Sequence, residues 1–277
     1  MKRTVTFGEI MLRLKTPEHM RILQTDAFEA SYGGAEANVA VSLAVLKDPV
    51  SFVTKLPENP VGTAALNEVR RYGADTSKVV IGGSRLGIYF FEKGTDIRPT
   101  NVVYDREGSA LALAKPEEFH WDEILKDTDI FYFSGVTPAV SENIAKAVLE
   151  ALKYCKAHGI ETVCDLNYRS KMWDTKKAQS VMSELMNYVT LCIANDEDFE
   201  SSLGIHAYDG DISKGIDQIE SYKAGMKEIQ NRYPNCKAVA SVLRNMYTAE
   251  DGDWMAIYLK DGVFYEARYI KYTALRQ

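Results

Sequence analysis

Over most of its 277 residues the chain alternates short apolar runs with longer segments whose apolar residues recur at helical spacing. No other feature of the sequence limits the fold as strongly. Extended segments separated by helices do not pair as hairpins. They pair in parallel, and the helices cover the faces of the sheet. The pattern predicts strands over 4–7, 51–54, 130–134, 162–165, 190–194 and 238–243. It predicts helices over 35–46, 61–72, 141–158, 176–186, 196–203 and 215–233.

Two segments break this rhythm. Around 9–32 and 84–110 the chain is strand-rich with no helix between the strands, including 87–92 and 102–106 around the turn-rich 93–96. They fit a small antiparallel subdomain. Near the C-terminus, 254–259 and 263–267 read as a hairpin around Asp261-Gly262. The sequence then ends without a further helix, which predicts an uncovered sheet face. The expected fold class is α/β, a single domain over 1–277. It would have a mostly parallel central sheet with helices on both faces and a small antiparallel β lid.

Composition narrows the function classes. A net charge of −6 gives no basic field for nucleic acid or an anionic membrane. No apolar stretch approaches the roughly 20 residues of a membrane span. The N-terminus enters a strand pattern directly, so no signal peptide is expected and the predicted location is cytoplasmic. Cys155, Cys164, Cys192 and Cys236 form no C-x-x-C pair and have no His at metal spacing. They read as small buried hydrophobes.

Three clusters carry candidate chemistry. Asp165, Asn167 and Arg169 follow the apolar run 160–164 two residues apart. An extended backbone would point all three the same way, just past a buried strand, where α/β proteins hold ligands. A helix cap explains Asp and Asn equally, but needs neither Arg169 nor Trp173. Gly33-Gly34 precede a helix, where a ligand can approach the backbone and meet free N–H groups, and Asn38 lies one turn in. A tight loop without a ligand would use the same glycines. Tyr104 and Arg106 share one face of a predicted strand, and Tyr89 lies in another. Arg offers a two-pronged donor for a carboxylate, although a half-buried sheet with an exterior Arg has the same spacing.

Taken together, the motifs resemble one family. Gly33-Gly34-Ala35-Glu36-Ala37-Asn38-Val39-Ala40 resembles the N-terminal signature of the ribokinase-like (PfkB) carbohydrate kinases. The stretch from Asp165 to Trp173 resembles their D-x-N-x-R-x-x-x-W. Within the family, 2-keto-3-deoxygluconate kinases carry a lid strand Y-x-R followed by S-A, matched by Tyr104, Arg106 and Ser109-Ala110. The resemblance implies a ribokinase-like fold and transfer of the ATP γ-phosphoryl group, with Mg2+, to the terminal hydroxyl of 2-keto-3-deoxygluconate. It implies that Gly33, Gly34 and Asn38 carry the sugar and that Tyr89, Tyr104 and Arg106 recognise the open-chain acid. Asp165, Asn167 and Arg169 would complete the substrate set, with Arg169 at the acid end.

Asn195-Asp196-Glu197-Asp198 stands where the family has N-x-x-E, part of a water-mediated magnesium and phosphate network, with Asp198 one methylene shorter than Glu. A solvated acidic helix start would carry the same charges. Arg244 stands where relatives place a residue near the nucleotide phosphates. Many relatives have Asp near the position of Arg13, in the opening strand. A cation there disfavours ribose- or adenosine-type substrates and suits a carboxylated sugar, though a solvent-facing Arg on an edge strand fits as well.

In this family a G-A-G-D-type loop opens a helix. Its N–H groups hold the developing charge and its Asp takes the proton of the attacking hydroxyl. No Gly-x-Gly-Asp occurs in the sequence. The resemblance runs from Thr4 to Ala267 and would place the loop beyond Tyr272, while Thr273 to Gln277 depart from it. The expectation is therefore a C-terminally incomplete member, from a shortened or frame-shifted gene, with no catalytic residue of its own and negligible turnover. The residues leave two other functions open. One is a fructokinase-like or other PfkB kinase for a neutral sugar. The other is a non-catalytic sugar-acid-binding protein whose lid edges pair with a second copy in a homo-oligomer.

Overall fold

In the computed structural model the described residues are 2–95, 98–195, 197–248 and 251–272. Asp96, Asp196 and the tail 273–277, which enter the sequence reading above, lie outside them. The chain divides into two compact units, Met1–Ile160 and Glu161–Gln277.

The first unit opens with β1 (Thr4–Phe7), β2 (Met11–Lys15), β3 (Glu29–Gly33) and α1 (Ala35–Val45). It continues with β4 (Val50–Val53), β5 (Lys55–Leu56), α2 (Pro60–Arg70), β6 (Val80–Ile81), β7 (Ile88–Glu92) and β8 (Asn101–Asp105). It closes with α3 (Trp121–Ile124), β9 (Ile130–Ser134), α4 (Val136–Val140) and α5 (Glu142–His158). β1 pairs in parallel with β4 on one side and β9 on the other. β1 and β4 are buried along their whole length, as a parallel strand covered on both faces must be. α2 starts at Asn59, whose side chain accepts from the Val61 and Gly62 N–H groups, with Pro60 in the first turn. α5 starts at Ser141, which accepts from Ile144 N–H at 3.3 Å, and ends at left-handed Gly159.

The lid is a four-stranded sheet in the order β3-β2-β7-β8. Its outer pairs are antiparallel, as expected for adjacent hairpin-like strands. Its central pair, β2 with β7, is parallel. These two strands are joined through α1 and α2 rather than by a turn, so the chain returns in the same direction.

The second unit contains β10 (Glu161–Asp165), α6 (Thr175–Leu185), β11 (Leu191–Ile193), α7 (Asp198–Leu203) and α8 (Ile219–Arg232). It ends with β12 (Ala238–Met246), β13 (Gly252–Lys260), β14 (Val263–Glu266) and β15 (Ile270–Tyr272). β10, β11 and β12 run parallel, and β13 to β15 continue the sheet antiparallel. Asp261 and Gly262 both have positive φ, the turn that the hairpin requires. All four cysteines are free and buried. Burial pushes the Cys155 thiol up to about 12 and that of Cys236 up to about 11, so neither is a nucleophile at neutral pH. No helix among the described residues is long and apolar enough to cross a membrane.

Candidate functional site

Pairing register sorts the lid side chains into two faces. Arg13, Ser31, Tyr89 and Tyr104 are direct partners across the four strands and so project to one face. Gly33, the partner of Met11, lies two positions from this row and shares the face. Leu12, Tyr32 and Ile88, and then Leu14, Ala30, Phe90 and Val103, make the opposite, largely apolar face. The Tyr89 and Tyr104 rings stand 5.9 Å apart. A side chain at Gly33 would come to 3.5 Å from the Tyr89 hydroxyl and 3.6 Å from Asn38 Oδ1. The bare glycine therefore leaves a notch edged by two hydrogen-bonding groups, suited to a hydroxyl of a small molecule.

Gly34 precedes α1 with extended backbone, so its φ is not what requires glycine. Close approach is. A Cβ on Gly34 would sit 1.8 Å from the Glu9 carbonyl oxygen. The strand end after β1 thus seats directly against the start of α1, and Gly34 N–H reaches Asn38 Oδ1 at a long 3.5 Å. A cleft of about 160 Å³ opens beside these residues, lined by Tyr32, Gly33, Asn38, Glu68 and Tyr72 among others.

Arg106 does not stand alone on this face. Its guanidinium pairs with the Glu9 carboxylate, whose other oxygen accepts from Ser109 Oγ at 2.6 Å. Glu9 is 4% exposed and Arg106 14%. The Ser-Ala that follows the Tyr-x-Arg strand is therefore part of the support of Arg106. Glu9 is a site residue that spacing alone could not reveal, because it lies 97 positions from its partner.

A second buried carboxyl ties the motif to the parallel sheet. Glu36 is fully buried, and its Oε1 accepts from Ser134 N–H at 2.9 Å. Thr137 Oγ1 lies 2.8 Å from Glu36 Oε1 and 3.2 Å from the Phe7 carbonyl. The Thr137 hydroxyl has one hydrogen and is placed to share it between these two acceptors. Burial, opposed by the Ser134 and Thr137 hydrogen bonds, raises the Glu36 pKa above the ordinary carboxylate value. Gly8 makes room, since a Cβ there would fall 1.9 Å from Glu36 Oε2.

In the second unit Asp165, Asn167, Arg169, Asn195, Glu197, Asp198 and Arg244 line one cleft of about 600 Å³, with Trp254 and Val242. The extended backbone ends at Asp165, and Asn167 has φ of +39°. A turn, not the two-residue alternation of a strand, therefore brings Asp165, Asn167 and Arg169 to the same cleft. Asn is among the residues that tolerate this left-handed conformation. Asp198 holds the turn: its carboxylate accepts from Tyr168 N–H at 2.7 Å and from Asn195 N–H at 3.0 Å. Asn195 Oδ1 in turn accepts from Val242 N–H at 2.8 Å. Asn195 and Asp198 thus build the floor, and Glu197, which is exposed, lines the cleft together with Asp165. Val242, Arg244 and Trp254 come from facing positions of β12 and β13. Among the described residues no group of three acidic, His or Cys side chains could hold a metal ion.

The lid face of the first unit and the cleft of the second each gather hydrogen-bonding and charged side chains. The model of the pfkB family carbohydrate kinases matches residues 1–234. A 2-dehydro-3-deoxygalactonokinase of Haloferax volcanii is 38% identical over 207 residues, 75% of this chain and 64% of that protein. The chain thus spans less than two thirds of that relative's length. The crystal structure of 2-dehydro-3-deoxygluconokinase from Thermotoga maritima matches with a TM-score of 0.92 at 42% identity, covering 99% of this chain and 82% of that one. That of a PfkB carbohydrate kinase from Listeria grayi matches with a TM-score of 0.88 at 31% identity, covering 99% and 81%. Lid, glycine motif and cleft therefore sit on a ribokinase-like scaffold, and the chain belongs to the pfkB family of carbohydrate kinases.

Proposed function

We propose that the protein is a sugar-kinase module for 2-keto-3-deoxygluconate, the acid also called 2-dehydro-3-deoxygluconate, or its galactonate epimer. One observation carries this reading. Gly33, Tyr89, Tyr104 and Arg13 share one face of the lid sheet, beside Asn38 and the Glu9-supported Arg106. That combination offers hydroxyl partners and guanidinium groups, which fit a polyhydroxylated acid better than a neutral ring. In this reading Gly33, Gly34 and Asn38 take sugar hydroxyls, and Tyr89, Tyr104 and Arg106 position the open chain.

The second-unit cleft supports the phosphate side of the same chemistry. Arg169 and Arg244 are both exposed and line it, and Trp254 adds an aromatic face. Phosphoryl transfer needs positioning and charge stabilisation above all, and arginines serve phosphates well. ATP with Mg2+ is the proposed donor, in a cytoplasmic setting. Asp165 and Asn167 are proposed to face ligand, and Asn195 and Asp198 to hold the cleft in shape.

Turnover is a separate matter. The 277 residues contain no Gly-x-Gly-Asp, and for this polypeptide the proposal is ligand binding with negligible phosphoryl transfer. Calorimetric titration tests the binding. The keto acid is expected to bind more tightly than fructose, and tighter binding of fructose would favour a fructokinase-like protein. A coupled assay with MgATP tests the second part, and phosphorylation at an ordinary enzyme rate contradicts it. β3 and β8 are the lid's edge strands, and their exposed residues fit pairing with a second copy. Sedimentation of the purified chain checks this, with a dimer expected.

A further inference from the structure

Two arginines, Arg13 and Arg106, belong to the lid's candidate ligand face, and their positive charge is balanced differently in the fold. Arg106 is paired with buried Glu9, so the pair as a whole offers an incoming anion little net charge. It can still orient a ligand through its donors. Arg13 makes neither an ion pair nor a hydrogen bond among the described residues, and its Nε is buried without a partner. Its guanidinium lies 4.0 Å over the Phe91 ring, which fixes its direction without consuming its charge. Its field reaches Tyr89: burial raises the pKa of the Tyr89 hydroxyl and Arg13 opposes that rise.

Arg13 is two residues along β2 from Met11, the register partner of Gly33. That separation is about 7 Å, comparable to an extended six-carbon chain. A ligand with a hydroxyl in the Gly33 notch and its body on Tyr89 would present its far end to Arg13. Resting on the function proposed above, we infer that Arg13, not Arg106, supplies the uncompensated positive charge by which the first unit selects an anionic sugar. Arg13 is thus a specificity-determining residue and Arg106 an orienting one.

The test is calorimetric titration of the purified chain with 2-keto-3-deoxygluconate and with fructose, at low and high salt, for wild type, Arg13→Gln and Arg13→Lys. Loss of a charge-assisted contact in Arg13→Gln should weaken acid binding by about ten- to hundredfold and remove most of its salt dependence. Fructose binding should stay unchanged. Arg13→Lys should restore most of the acid affinity. Thermal melting should match wild type for both variants, since Arg13 holds no ion pair. Acid binding by Arg13→Gln equal to wild type, with the same salt dependence, overturns the inference and leaves the sugar-acid reading intact. A wild type that shows no preference for the acid over fructose overturns both.

Discussion

The lid of the first unit and the cleft of the second reach their ligand-facing surfaces by different routes. On the lid, side chains alternate along strands, and register alone brings Arg13, Tyr89 and Tyr104 into one row. In the cleft, a left-handed Asn167 turns the chain, and backbone N–H groups gathered by Asp198 hold the turn. The lid also keeps a carboxylate under one of its arginines, whereas the cleft's Asp198 serves the backbone and leaves Arg169 exposed. Strand faces thus set the identity of ligand groups, while a turn held by backbone hydrogen bonds sets a shape. Substitutions should accordingly cost stability in the lid's supports and affinity in the cleft's arginines.

The largest effect on binding is expected at Gly34. With a Cβ falling 1.8 Å from the Glu9 carbonyl, Gly34→Ala must shift backbone. It should cost about 1–3 kcal/mol or more and abolish detectable sugar-acid binding. Urea unfolding and titration read both effects, and a stable variant that binds normally would show that the close approach does not matter.

Next comes Glu9→Gln. Removing the charge of Glu9 breaks its buried pair with Arg106, and about 3–5 kcal/mol of stability should go. Thermal melting against Arg169→Gln sharpens the contrast. The latter removes an exposed side chain and should change stability by less than about 0.5 kcal/mol.

The pH dependence follows from Glu36. Its pKa is raised in the folded state, chiefly by burial, so the folded protein keeps a proton that the unfolded chain releases. Stability from this group is complete below the ordinary carboxylate range and falls as pH rises toward the folded value. The slope is at most about 1.4 kcal/mol per pH unit. Glu36→Gln should flatten it. Urea midpoints from acid to neutral pH give the answer, and parallel curves for the two proteins would place the proton elsewhere.

The smallest effect is expected at Arg244. Arg244→Gln should weaken MgATP binding by about tenfold with little change in melting. Fluorescence of Trp254, which faces the same cleft, offers a direct reading.

Much of this comparison was legible in the sequence. β1 and β9 fall on the predicted 4–7 and 130–134, where β-branched and aromatic residues favour extended backbone. The Gly33-Gly34 start of α1 and the shared cleft of Asp165, Asn167 and Arg169 were likewise foreseeable. Three things were not. The parallel centre of the lid depends on where α1 and α2 return the chain. The Glu9–Arg106 pair joins residues far apart in sequence and carries no local pattern. The turn at Asn167 breaks an alternation that looked extended, because its stability comes from Asp198 in another segment.

Binding of an anionic open-chain sugar on the lid face of the first unit, as proposed, is open to direct sight in a crystal of the protein grown with 2-keto-3-deoxygluconate. The ligand is expected along Gly33 and Tyr89 with its carboxylate at Arg13. A ligand found away from the lid face, or seated there with its carboxylate turned from Arg13, would overturn the proposal.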